Sequence, residues 1–246
     1  MNAPAPLLAQ AVSAAPATGG DTFFEIVFSG GPMGILIMCL LIALSIVALA
    51  LVIEHALTIR QSVLMPSELI DLLTAHLNQG KLVPAVQACE AHPSSLGHIL
   101  RESLAEVEGG WTAVEKALED ATAEQAARLF RKIEYLAVIG NIGPMLGLLG
   151  TVVGMILAFR EVANTQGAAN AAQLASGIYS ALVTTVAGLL IAIPALGAFA
   201  IFRNRVDELV AEMAYTAQHI LLPVKRALTG RRTAAAPPPA PPKGTA

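Results

Sequence analysis

Apolar residues run without a charge from Met33 to Ile53, from Tyr135 to Phe159 and from Ile178 to Phe202. About 20 residues at roughly 1.5 Å each cross the hydrocarbon of a bilayer. The pattern therefore predicts three transmembrane helices, at residues 33–53, 135–159 and 178–202. Between the first two spans the pattern becomes amphipathic. Leu69, Leu72, Leu73 and Leu77 share a helical face, introduced by Ser67 and Glu68 and closed by Gly80. A short helix is predicted from about Leu82 to Ala91, with Pro84 in its first turn and Pro93 beyond its end. Ser94 or Ser95 caps a third, with Leu96, Ile99, Leu100 and Leu104 on one face, ending at Gly109-Gly110. From Trp111 to Ile139 neither Gly nor Pro occurs, which predicts one helix running into the second span. Phe202, Val206, Leu209, Val210, Met213 and Ile220 continue a helical period to Pro223. The apolar face of this extension needs a partner, which points to a protruding bundle shared by several subunits.

Charge decides the orientation. From Tyr135 to Phe202 the only charged residues are Arg160 and Glu161, side by side. Residues 1–32 hold no Lys or Arg, whereas the segment between spans one and two holds seven and the stretch after Phe202 another seven. The positive-inside rule puts residues 1–32 and the short connection at 160–177 outside, which the resemblance described below makes the periplasm. It puts the helical domain at 54–134, the helix at 203–229 and the tail at 230–246 in the cytoplasm. Residues 1–20 and the Ala/Pro-rich tail read as disordered, and Thr22–Phe28 as a short apolar element on the outer surface. The first span lies too far from the start, and lacks the basic flank, to be a signal peptide. The fold class is thus an all-α integral membrane protein, with spans two and three extended into a cytoplasmic helical bundle. Cys39 lies in a span and Cys89 in the cytoplasmic domain, so no disulfide is expected. Cys89 and His92 lack a second pair of ligands, and no metal or other cofactor is expected.

Hydroxyls interrupt the apolar spans. Thr151 lies in the second; Ser180, Thr184 and Thr185 lie in the third. Ser180 and Thr184 are four apart and share a face, with Thr185 about 100° further round. The second span also carries Gly143, Gly147, Gly150 and Gly154, in two small-xxx-small pairs that permit close backbone approach. Two readings stand: plain tight packing, with each hydroxyl satisfied on its own helix, or a polar seam between spans two and three. An enzyme would need a nucleophile and base, or a metal constellation, at one depth. The five histidines, His55, His76, His92, His98 and His219, are scattered through the cytoplasmic parts.

The runs IGNIGPMLGLLGTVVGMILAF (139–159) and ASGIYSALVTTVAGLLIAIPALGAFAIF (175–202) resemble the paired membrane signatures of the MotA/TolQ/ExbB proton-channel family, and its ExbB/TolQ branch in particular. The order of spans, the GPMLGLLGTV and AIPA motifs and the acidic residue at the first membrane exit, here Glu54, fit the same pattern. The resemblance implies a homopentameric motor subunit around a single-span ExbD/TolR-type partner that supplies an intramembrane Asp. Protons would cross at that interface, and a TonB-like or Tol-like transducer would carry the work to the cell envelope from the bacterial inner membrane. No nucleic-acid partner is expected. By the resemblance, Thr151 and Thr185 face the partner's carboxylate, and Pro144 and Pro194 bend their helices. Ser180 departs from it: ExbB and TolQ carry glutamate in GI-x-E-A-L, whereas this chain reads GIYSAL, with Tyr179 either in the pathway or an interfacial aromatic. A non-conducting scaffold and a sodium-driven version of the motor are the alternatives. The chain has no Asp, Glu, His or Lys in the interior of spans two and three, so a proton relay has to come from a partner or from water.

Overall fold

Gly31–Thr58 form the first helix (α1), followed by a single turn at Gln61–Leu64 (α2) and three short helices, Ser67–Asn78 (α3), Leu82–Ala91 (α4) and Ser95–Ala105 (α5). A 3-10 turn at Val107–Gly109 leads to Trp111–Asn164 (α6), Ala171–Ile220 (α7) and Leu222–Ala234 (α8). The structure is a computed structural model that describes residues 31–164 and 171–234, and no strand occurs among them. Residues 1–30, with the apolar element expected at Thr22–Phe28, lie outside the described residues, as do 165–170 and the tail beyond Ala234. Three helices are long and apolar enough to cross a membrane, over Pro32–Thr58, Trp111–Asn164 and Leu174–Ile220. The protein is an all-α integral membrane protein, and the second and third spanning helices extend far beyond the length a bilayer requires.

Several boundaries differ from those the pattern predicts. Helix α6 passes through Arg160 and Glu161 to Asn164 instead of stopping at Phe159. Neither residue disfavours a helix, and the nearest following glycine is Gly167. Helix α5 ends at Ala105, four residues before the glycine pair, because the 3-10 turn intervenes; Gly110 then takes φ +85°, a conformation that a side chain would oppose. Gly80 does the same after α3, with φ +69°. Ser94 is the cap of α5, its Oγ accepting from Gly97 N at 3.1 Å.

The chain divides into two units. The larger comprises Leu44–Gly143 with Leu190–Ala246. Its core is one apolar cluster. Leu69, Leu73 and Leu77 from α3 and Leu96, Ile99 and Leu100 from α5 are buried in it, while Leu72 remains 37% exposed. Val114, Leu118, Ala121, Leu129 and Ile133 enter from α6, and Val206, Leu209, Met213, Ala217 and Ile220 from α7. The α7 set steps by three and four residues, and so does the α6 set apart from the eight-residue step from Ala121 to Leu129 that Gln125 divides, the spacing that keeps one stripe of each helix against its partner. The apolar face of α7 is thus covered by this chain's own helices. A smaller cluster joins Ala48, Ile139 and Ala195, one small or branched side chain from each of α1, α6 and α7.

His55, in the last turn of α1, is 2% exposed. Its Nε2–H donates to Lys132 O at 3.1 Å, since a carbonyl can only accept, and its ring meets Phe202 edge-on at 5.7 Å. One imidazole therefore ties α1 to α6 and α7. Glu54 beside it is exposed.

Cys89 is buried in the α4 contribution to the core, and burial pushes its thiol up to about 11. A raised pKa keeps the thiol protonated, so thiolate chemistry is suppressed up to that pH. Iodoacetamide labelling of Cys89, in a Cys39→Ser background at pH 8, should run at least tenfold slower than in urea-unfolded protein, by roughly one pKa unit or more of lost thiolate. Equal rates in the two states would sink this placement.

Candidate functional site

The smaller unit comprises Met1–Ala43 with Pro144–Leu189. Within it α6 and α7 run against one another with little side chain between them. A Cβ built on Gly147 would come within 2.9 Å of Thr185 Cα and 3.0 Å of Thr184 O. One on Gly150 would overlap the Thr184 side chain, and one on Gly154 would sit 2.7 Å from Ala181 Cβ. One on Gly177, from the other helix, would sit 2.8 Å from Ala158 Cβ. Gly143, in the larger unit, is buried. Real Cβ atoms do not approach backbone at such distances. The glycines are required here because the helices are in backbone contact.

That contact brings two hydroxyls onto one carbonyl. Thr185 Oγ1 donates to Gly147 O at 3.0 Å across the helix pair. Thr184, 5% exposed, divides its single proton between Ala181 O at 2.7 Å on its own helix and Gly147 O at 3.3 Å on the other. Gly147 O is also the acceptor that helical geometry assigns to Thr151 N–H. Thr151 Oγ1 itself bonds within its helix, to Leu148 O at 2.7 Å. Thr151, Thr185 and Ser180 are half-buried, and Tyr179 is 53% exposed. The structure thus places Thr184 and Thr185 on Gly147. Thr151 lies one turn along α6 from that carbonyl, and Ser180 one turn along α7 from Thr184. Pro144 and Pro194 both sit inside continuous helices. Each removes one backbone donor, which releases the carbonyl four residues earlier.

The three threonine hydroxyls all spend their protons on backbone carbonyls. A hydroxyl has one proton and two lone pairs. What remains on Thr151, Thr184 and Thr185 is acceptor capacity, suited to an incoming acid O–H, a water or a bare cation. None can itself act as a titrating relay near neutral pH. Among the described residues, no group of three or more His, Cys, Asp or Glu side chains could hold a metal ion. His92 Nε2 lies 3.9 Å from Glu68 Oε2.

Sequence reasoning named the glycine pairs and the threonines as candidates. It missed Ala158 with Gly177, whose pairing needs the antiparallel register, and it missed His55, whose burial had one available signal: it sits within two residues of the end of the first apolar run.

Comparison with known proteins sharpens this picture. A family model described as the MotA/TolQ/ExbB proton channel family matches residues 91–215, half of the chain. The biopolymer transport protein exbB1 of Vibrio cholerae is 39% identical over 99 residues, 40% of this chain and 43% of that protein. The Tol-Pal system protein TolQ of Pseudomonas aeruginosa is 37% identical over 97 residues, 39% of this chain and 42% of that one. An ExbB-like protein of Synechocystis sp. is 33% identical over 169 residues, 67% of this chain and 79% of its own length. The chain thus spans less than half the length of the Vibrio and Pseudomonas relatives it matches.

The geometry separates glycines by what faces them. Gly147→Ala should destabilise the protein by about 1–3 kcal/mol, because α7 backbone blocks the added methyl. Gly197→Ala meets nothing within 4 Å and should be neutral or stabilising by up to about 1 kcal/mol through helix propensity. Thermal aggregation midpoints of the two variants in detergent decide the matter; equal midpoints would remove the argument for backbone contact.

Proposed function

This chain belongs to the MotA/TolQ/ExbB proton channel family, and from that premise we propose that it is an ExbB/TolQ-like motor subunit of a bacterial inner membrane. With a single-span partner of the ExbD/TolR kind it forms a proton channel and converts proton-motive force into mechanical work at the cell envelope. The distribution of Lys and Arg supports a periplasmic N-terminus and a cytoplasmic C-terminus. Most side chains along the spans are exposed in the single chain, Leu36, Ile46, Met145, Leu190 and Ile193 among them. That surface suits both lipid and neighbouring subunits of a homopentamer.

The observation that carries the reading is the Thr184–Thr185–Gly147 contact, flanked by Thr151 and Ser180, in spans without an interior carboxylate or amine. A channel wall of this kind accepts hydrogen bonds and does not titrate. The titrating group therefore comes from the partner as an intramembrane Asp. Its protonated form donates to a threonine oxygen, and its ionised form turns to water. Thr151 and Thr185 are the side chains we assign to that carboxyl, with Thr184 holding the helix pair together and Ser180 and Tyr179 further along the path. The same oxygens would also ligate sodium, which makes the ion a quantity to be measured. A second reading, a non-conducting scaffold, is favoured by one residue: Ser180, where the ExbB/TolQ branch carries glutamate.

Ion flux in vesicles holding this protein and its single-span partner tests the assignment. Thr185→Ala and Thr151→Ala should each lower partner-dependent proton flux by about tenfold, the kinetic weight of roughly one hydrogen bond. Flux that is sodium-dependent at fixed pH selects the other ion. A stable complex that passes neither ion, in wild type and in Ser180→Glu alike, selects the scaffold.

A further inference from the structure

Away from the spans, the larger unit holds an open cleft of about 900 Å³ that the channel mechanism does not use. Its walls come from the end of α1 and from α2, from the α4–α5 corner, and from one face of α6. Arg101, Arg128, Arg131 and Lys132 line it against two carboxylates, Glu90 and Glu124. Arg128 is paired with Glu124 at 2.7 Å, and Arg101 with Glu102 at 2.7 Å. Arg131 and Lys132 form no ion pair among the described residues; Arg131 reaches only Ala127 O, by its Nε at 3.3 Å. The cleft therefore carries uncompensated positive charge.

Two further features lie on the same walls. Ser94, Ser95 and Gly97 place the N-terminus of the eleven-residue helix α5 there; Gly97 N is taken by the Ser94 cap, and the helix dipole with the other first-turn donors favours an anion. Gln125 is the second feature. It occupies a core position on α6, between Ala121 and Leu129, and is only 6% exposed. Its Nε2 has no hydrogen-bond partner, nor has Nδ1 of His98, another residue of the cleft wall. A buried amide left without a partner is costly, so a polar group in an otherwise apolar stripe calls for a ligand.

We propose that this cleft binds a phosphate group, held by Arg131, Lys132 and the Gln125 amide against the N-terminus of α5. The donor set is complementary to a tetrahedral oxyanion: guanidinium for a bidentate contact, ammonium for point charge, and an amide N–H and helix N–H groups for the remaining oxygens. Thr58 lies just after the first apolar run, and Arg131 and Lys132 just before the second. An anionic phospholipid headgroup and a soluble phosphate compound are the two sources of this chemistry.

The full chain in detergent is titrated by native mass spectrometry with phosphatidylglycerol, with phosphatidylcholine as control, and by equilibrium dialysis with inorganic phosphate. Retention of phosphatidylglycerol over phosphatidylcholine with no uptake of free phosphate supports the site as a headgroup site. Uptake of free phosphate supports it as a soluble-ligand site. In either case Arg131→Gln and Gln125→Leu should each weaken binding by about tenfold, the effect of about 1.4 kcal/mol, while Arg203→Gln, outside the cleft, leaves it unchanged. Gln125→Leu removes no charge and relieves an unpaired amide, so its melting midpoint should match or exceed wild type. The proposal is overturned if neither probe binds. It is also overturned if Arg203→Gln weakens binding as much as Arg131→Gln while Gln125→Leu has no effect, the signature of diffuse surface charge. Saturation by polyglutamate but by neither phosphate probe would make the cleft a peptide site and overturn it too.

Discussion

Hydrocarbon supplies no hydrogen-bonding partner, so a polar group in a membrane span must find one within the protein. In this chain that requirement is met by backbone proximity. Thr184 and Thr185 reach Gly147 O because Gly147 and Gly150 leave no Cβ between α6 and α7. The glycines permit the approach, and the approach satisfies the hydroxyls. Everything proposed for the spans depends on this arrangement, because it fixes which way the threonine protons point.

The two units meet opposite demands. In the larger one, apolar stripes on α3, α5, α6 and α7 are buried against each other, and the cores of Leu69, Leu100, Leu209 and Met213 are sealed from solvent. In water such burial is the main stabilising term. In the spans it contributes little, because lipid is as apolar as the side chains. Accordingly, the contacts in the smaller unit are between small residues, Gly154 with Ala181 and Gly177 with Ala158. The large side chains there, such as Met145, Ile156 and Leu182, are left facing outward. His55 occupies a position with both demands. Its ring packs edge-on to Phe202 while its Nε2–H satisfies the Lys132 carbonyl.

Membership of the proton channel family sets the kind of machine, and the residues of this chain set its particular terms. Ser180 substitutes a neutral hydroxyl where the ExbB/TolQ branch has a carboxylate. The spans then contain acceptors and donors but no acid of their own between Tyr135 and Phe159 or between Ile178 and Phe202. Under the proposed function, titration is delegated to another polypeptide, whose carboxyl would change state along a wall that cannot change its own charge.

The apolar runs, their lengths and the absence of Gly and Pro from 111 to 139 are local quantities. They determined the helical class, the three spans and the long helix α6 from the sequence by itself, because backbone satisfaction in lipid leaves helix as the sole option for such runs. The glycine spacing likewise announced a close contact on one face of α6. What it could not supply was the register. Whether Gly147 meets Thr185 or a residue one turn away depends on how two antiparallel helices slide, and that is set by the summed packing of Gly140 with Leu196, Gly154 with Ala181 and Ala158 with Gly177. The burial of His55 and that of the α7 stripe in the shared apolar cluster are decided the same way. Residues distant in the chain share a contact only once the whole set of helices has chosen its alignment, and no local pattern encodes that choice.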